Sequence, residues 1–215
     1  MNKRLVLLAL AGLCLALLAP ALSPRQVTIL AFGDSLTAGY GLAQEEAFPA
    51  VLEGMLLQEG LKVRVINAGL SGETTAGGRA RLASYLKDPP QAAILELGAN
   101  DCLRGLDPAA AEENLSAMLH ELTSRGVKVL LAGMLAPSYR GEGYVKSFNA
   151  IYPRLAQRHG VDLYPFFLAG VWEDQRLTMD GLHPTAKGVR VIAQGIYPQA
   201  KRLALSVLEG QQAAK

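Results

Sequence analysis

The 215-residue chain carries only three histidines and two cysteines, so little of it can serve as a general base or a soft metal ligand. His183 lies in Asp180-Gly181-Leu182-His183-Pro184. Residues three apart across a turn come close enough for Asp180 to accept a hydrogen bond from one imidazole nitrogen. The other nitrogen can then take a proton from a nucleophile, which is the base-and-orienter half of a serine triad. His120 falls beside Glu121 in a helical pattern, and His159 precedes Gly160 at a helix end, where the dipole favours a cation. Both read as structural, which leaves His183 as the candidate base.

The candidate nucleophile is Ser35, in Gly33-Asp34-Ser35-Leu36-Thr37 directly after an apolar run. At a strand-to-helix turn its backbone N–H lacks a helical partner and can face a developing negative charge. A lone Gly-Asp-Ser reads equally as a helix N-cap, made by Asp34 or by Ser35 itself. Two further segments add weight: Asn67-Ala68-Gly69-Leu70-Ser71-Gly72, in which Gly69 offers an N–H, and Gly98-Ala99-Asn100-Asp101, in which Asn100 offers a side-chain amide. Each alone is an ordinary turn composition. Together, at the ends of strands expected to flank the first, they suggest an oxyanion hole of Ser35, Gly69 and Asn100. Ser71 is a rival nucleophile with no second base to serve it. The apolar residues Leu103, Leu106, Pro137, Tyr139, Phe166 and Trp172 are candidates for an acyl-binding groove, with Leu103, Pro137 and Tyr139 the selected three, although such residues are more often core.

These residues need a scaffold that gathers strand ends. Apolar runs at Val27–Phe32, Lys62–Asn67, Ala92–Leu97, Val127–Ala132 and Val161–Tyr164 mostly lack alternation, as strands covered on both faces do. Between and after them lie helical patterns at Glu46–Gln58, Thr74–Lys87, Pro108–Arg125, Val145–His159 and from Pro184 to about Leu208. Asp107-Pro108 supplies an N-cap and first-turn pair, and Leu115, Met118, Leu119 and Leu122 form one buried stripe. Strand then helix, five times over, implies a parallel sheet with helices on both faces and ligands collected at the strands' carboxyl ends.

Half the residues are apolar and 19% charged, which excludes a disordered or collagen-like chain. Lys3 and Arg4, an uncharged stretch from Leu5 to Leu18 and Ala19-Pro20-Ala21 form the three regions of a signal peptide. Residues 1–21 are therefore expected to direct export to the periplasm or medium, leaving 22–215 as one domain; an uncleaved N-terminal membrane anchor is the alternative. Leu13 before Cys14 argues against a lipoprotein. Removal of residues 1–21 takes two of the 21 basic residues and leaves them equal to the 19 acids, so no nucleic-acid or anionic-membrane partner is expected. Cys102 would then stand alone and no internal disulfide could form. No obligate protein partner is evident, and a monomer is the default. The first motif lacks the final glycine of the G-x-S-x-G elbow, Gly39-Tyr40-Gly41 lacks the third glycine of a dinucleotide fingerprint, and His and Cys are too few for a zinc site.

Gly33-Asp34-Ser35, Gly69, Gly98-Ala99-Asn100-Asp101 and Asp180-Gly181-Leu182-His183 resemble the four blocks of the SGNH (GDSL-type) hydrolases in order and spacing. Ala31 to Gly41, Gly98 to Gly105 and Ala150-Ile151-Tyr152-Pro153 are similar to one branch, the exported bacterial thioesterase, lysophospholipase and arylesterase group, over roughly residues 27–200. That resemblance implies an α/β, flavodoxin-like three-layer sandwich around five parallel strands. It also implies hydrolysis of acyl esters, thioesters or lysophospholipids through an acyl-enzyme, with no metal or organic cofactor. The loop from Ala136 to Gly143 would border the acyl groove, and it departs from the family pattern by carrying Ser138 after the proline where an asparagine is expected. Two other readings remain open: an acetylesterase acting on a polysaccharide or xenobiotic, and a non-catalytic protein that binds a ligand in the same cleft.

Overall fold

The apolar runs at the centre of the sequence are buried because the sheet covers them twice. In the computed structural model, which describes residues 26–213, five parallel strands pair in the order β2-β1-β3-β4-β5. They are β1 (Val27–Gly33), β2 (Val63–Gly69), β3 (Ala92–Glu96), β4 (Lys128–Ala132) and β5 (Asp162–Tyr164). The three inner strands are shielded nearly throughout, whereas edge strand β2 alternates, with Val63 and Val65 buried and Arg64 and Asn67 exposed. The order is that of the flavodoxin-like doubly wound fold. The expected signal segment, residues 1–21, lies outside the described residues.

Among the described residues eight α-helices surround the sheet: α1 (Ser35–Ala38), α2 (Phe48–Gln58), α3 (Thr75–Leu82), α4 (Ala99–Arg104), α5 (Pro108–Ser124), α6 (Glu142–Asn149), α7 (Ile151–His159) and α8 (Ala186–Ala213). Helices α2 and α8 pack together on one side; α3, α5 and α7 pack in a row on the other. One connected cluster of buried side chains runs through all three layers.

Prolines moved two boundaries from where periodicity put them. The pattern beginning at Glu46 becomes a short 3-10 turn, Gln44–Glu46, and then α2, because Pro49 fits only the first turn of a helix. The single helix expected over Val145–His159 is two, broken at Ala150, because Pro153 in a continuous helix would clash with the carbonyl of residue 149. Asn149, at the break, accepts a hydrogen bond from the Ala136 N–H at 2.8 Å and so pins the loop after β4.

Candidate active site

Strand β1 ends at Gly33, paired with Gly69 of β2 on one side and Glu96 of β3 on the other. This register alone brings the three Gly-rich loops together. Asp34 caps α1 by accepting the Leu36 N–H at 3.0 Å, and α1 closes after one turn at Gly39, in the left-handed region at φ +81°. The cap reading and the nucleophile reading therefore hold for different residues. Asp34 is the cap, and Ser35 opens the helix with its hydroxyl pointing to the turn that contains His183.

That turn is fixed locally. The Oδ1 atom of Asp180 accepts the N–H groups of Leu182 (3.0 Å) and His183 (2.8 Å), and Gly181 takes φ +82°. Met179 and His183 then bond back to back, the Met179 N–H donating to the His183 carbonyl at 2.8 Å. The hairpin leaves Asp180 Oδ2 2.6 Å from His183 Nδ1, and His183 Nε2 3.0 Å from Ser35 Oγ. Since a carboxylate only accepts, Nδ1 carries the ring proton and Nε2 is the acceptor facing the serine hydroxyl. The imidazole's hydrogen bond, followed by that of the His183 backbone, draws the Asp180 carboxyl down to about 2. Tyr40 lies against the imidazole, ring centroids 4.5 Å apart.

Gly69 and Asn100 approach from either side. Asn100 sits in the first turn of α4 and donates one amide hydrogen to Asp34 Oδ2 at 3.2 Å. The Gly69 N–H donates to the exposed Asn67 side chain at 3.0 Å, and a Cβ at position 69 would lie 2.2 Å from the Ala38 nitrogen. Only glycine allows β2 to come this close to α1. Ser35, Asn100, Leu103, Leu182 and His183 line one cavity of about 260 Å³. Ser71 lines it too, but His183 hydrogen-bonds Ser35 instead.

The other predicted residues are dispersed. Pro137, Phe166 and Trp172 line a separate cavity of about 880 Å³ beyond β4 and β5. Tyr139 is 70% exposed and sits over the Arg140 guanidinium, 5.3 Å from ring centroid to cation. Arg140 in turn donates to the Leu103 carbonyl, tying this loop to the wall of the Ser35 cavity. His159 Nε2 is 2.8 Å from Ser116 Oγ on the far side of the molecule, and burial lowers its pKa. Cys102 is buried, which pushes its thiol up to about 11. Among the described residues no three His, Cys, Asp or Glu side chains cluster as metal ligands do.

Sequence reasoning missed a layer beneath the site. Glu96 is fully buried, accepts the Thr37 hydroxyl at 2.7 Å and abuts Asp34. Its signal was present, since a lone carboxylate in the apolar run Ala92–Leu97 needs a reason to be there. Arg81 of α3 donates to the carbonyls of Gly33 and Ala68 and pairs with Glu73, clamping the ends of β1 and β2.

A protein-family model, described as the GDSL-like lipase/acylhydrolase family, matches residues 31–191. The chain belongs to that family. Esterase TesA of Pseudomonas aeruginosa is 38% identical over 192 residues, covering 88% of this chain and 96% of the relative. The thioesterase 1/protease 1/lysophospholipase L1 of Escherichia coli K12 is 37% identical over 178 residues, 82% of this chain and 84% of the relative. The crystal structure of AlinE4, an SGNH-hydrolase family esterase, superposes with a TM-score of 0.71 at 45% identity, covering 84% of this chain and 97% of that one. The GDSL-type chain is thus an acylhydrolase by family, and the segments matched contain Ser35, Asn100 and His183.

Proposed function

We propose that the protein is a serine esterase that hydrolyses carboxylic acyl esters and thioesters through an acyl-enzyme on Ser35. The observation that carries this reading is the unbroken hydrogen-bonded chain from Asp180 through His183 to Ser35 at the mouth of a cavity that also contains Asn100. His183 takes the hydroxyl proton as Ser35 Oγ attacks the acyl carbonyl, and Asp180 holds the imidazole and stabilises its charge. The Ser35 N–H and the Asn100 amide receive the oxyanion, with the Gly69 N–H as a third donor once it turns from the Asn67 oxygen it holds at 3.0 Å. The protonated imidazole then delivers its proton to the departing alcohol or thiol and afterwards activates water on the acyl-enzyme. Leu103 and Leu182 offer the acyl group an apolar wall. The relatives named esterase, thioesterase and lysophospholipase support the same ester and thioester substrate class.

The test is hydrolysis of p-nitrophenyl acyl esters from two to sixteen carbons, beside the matching acyl-CoA and lysophospholipid, by wild type and Ser35→Ala. Turnover by the wild type and its loss in the variant is the expected result. A variant working at the wild-type rate would overturn the assignment, and a maximum at acetyl would move the substrate toward the acetylesterase reading. Stoichiometric labelling of Ser35 by a fluorophosphonate separates an enzyme from a binding protein. We also propose that residues 1–21 direct export and that 22–215 is the mature, single-domain enzyme; the N-terminal sequence of periplasmic protein checks both.

A further inference from the structure

Directly under Ser35 the fold buries two carboxyl groups that the chain of Asp180, His183 and Ser35 does not use. Asp34 and Glu96 are both fully shielded from solvent. Asp34 divides its oxygens between two elements: Oδ1 accepts the Leu36 N–H of α1 at 3.0 Å, and Oδ2 accepts an amide hydrogen of Asn100 on α4 at 3.2 Å. Glu96, at the end of β3, accepts the Thr37 hydroxyl at 2.7 Å and the Asp34 N–H at 3.4 Å through one oxygen, Oε2. Its Oε1 is buried without a partner.

An asparagine amide has two hydrogens in one plane, so holding the first fixes the direction of the second. We propose that Asp34 is a positioning residue for Asn100, whose carboxylate holds one amide hydrogen and thereby presents the other to the oxyanion formed at Ser35. Glu96 braces the turn from Asp34 to Thr37 beside it. This rests on the reading of Asn100 as an oxyanion donor.

The surroundings give Asp34 a pH dependence of its own. Glu96 faces it from β3, Asp101 from α4, His183 from the turn across the cavity, and Arg81 of α3, paired with Glu73, reaches the adjacent Gly33 carbonyl. Burial, against the opposing hydrogen bonds from Leu36 and Asn100, brings the Asp34 carboxyl up to about 7. Burial and the nearby Asp34 charge hold Glu96 well above the usual carboxylate range. Asp34 therefore gains a proton as pH falls through about 7. The neutral acid is a poorer acceptor and loosens the Asn100 amide, so activity declines through Asp34 as pH falls.

Asp34→Asn tests this with little change in shape. Asparagine caps helices as well as aspartate does, but if its oxygen faces Leu36, its NH₂ meets the NH₂ of Asn100 donor to donor. The expected result is a loss of about 10²-fold in kcat, typical of a misplaced reacting geometry, with KM little changed. The double variant Asp34→Asn/Asn100→Ala should be no slower than Asn100→Ala alone. The acidic limb of log kcat should be steeper in wild type than in Asn100→Ala. Additive losses in the double variant, or an unchanged steep limb in Asn100→Ala, would overturn the coupling; the second comparison stands even if Asp34→Asn fails to fold. Asn100→Ala at the wild-type rate would instead sink the donor assignment beneath it.

Discussion

The 2.6 Å bond between Asp180 and His183 decides which ring nitrogen carries the proton, and the proposed base depends on that choice. Asp180→Asn should keep the fold yet cut kcat by about 10⁴, because an amide favours the wrong imidazole tautomer; steady-state hydrolysis of a p-nitrophenyl ester measures it. Asn100→Ala should cost about 10² to 10³, the usual loss for one oxyanion donor. Asp180, at about 2, is charged far below neutrality, so the acidic loss of activity does not originate there. The stability that its depressed pKa contributes is complete above its ordinary value of 3.8 and disappears as pH falls through about 2. Cys102, buried with a thiol at about 11, should resist iodoacetamide in the native protein and react after denaturation, as peptide mass analysis would show. The candidate triad was legible because each member announces itself locally: a serine after a strand, and an aspartate three residues before the only suitable histidine. Tyr40 against His183 and Asp34 against Glu96 were not, because those contacts join segments 143 and 62 residues apart that only the strand register brings together.

At the scale of elements, the junction of β1, β2 and α3 is held by a nearly dry ion pair. The Glu73 side chain is 4% exposed and that of Arg81 19%, and Arg81 also lies 4.0 Å over the Phe32 ring. Removing one partner strands the other, so Arg81→Met should cost about 3–5 kcal/mol in urea unfolding, and Arg81→Met/Glu73→Leu should recover most of it. A small net gain from the pair itself is consistent with that outcome; an Arg81→Met protein as stable as wild type is not. Asp101 ties the start of α3 to α4 by accepting both the N–H and the hydroxyl of Thr75, at 2.8 and 2.6 Å. The loops bearing Gly69 and Asn100 are therefore cross-braced by residues that no motif singles out. Strand positions were readable from the sequence within two residues because burial on both faces leaves an apolar run with little ambiguity. The helices were less so where Pro49 and Pro153 stood: a proline inside a periodic pattern can start a helix or split it, and the choice belongs to the packing.

For the molecule as a whole, the buried carboxyls set stability against function. A carboxyl whose pKa is higher folded than unfolded binds more protons in the native state, so stability falls as pH rises between the two values. For Asp34 that window runs from 3.8 to about 7, and Glu96 adds to it in the same direction. The melting temperature is expected to decline from mildly acidic to neutral pH, and Glu96→Gln, which carries no charge to bury, should flatten that decline in a calorimetric pH series. The fold is thus most stable where Asp34 is protonated and its hold on Asn100 is weakest. The arrangement of the layers followed from alternating strand and helix patterns, and the expected flanking of the first strand by the second and third is met; the paired sheet adds the register that sets Gly33 between Gly69 and Glu96. One last property follows from five strands running the same way. Val27 opens β1 at the edge opposite Ser35, and α8 returns to that same edge, where Lys128, the first residue of β4, donates to the Ser206 carbonyl at 2.8 Å. Both ends of the described chain thus leave from the back of the molecule. Enzyme grafted to a bead, a fusion partner or a bilayer through either end should hold its cleft outward and turn over a soluble ester as fast as free enzyme does.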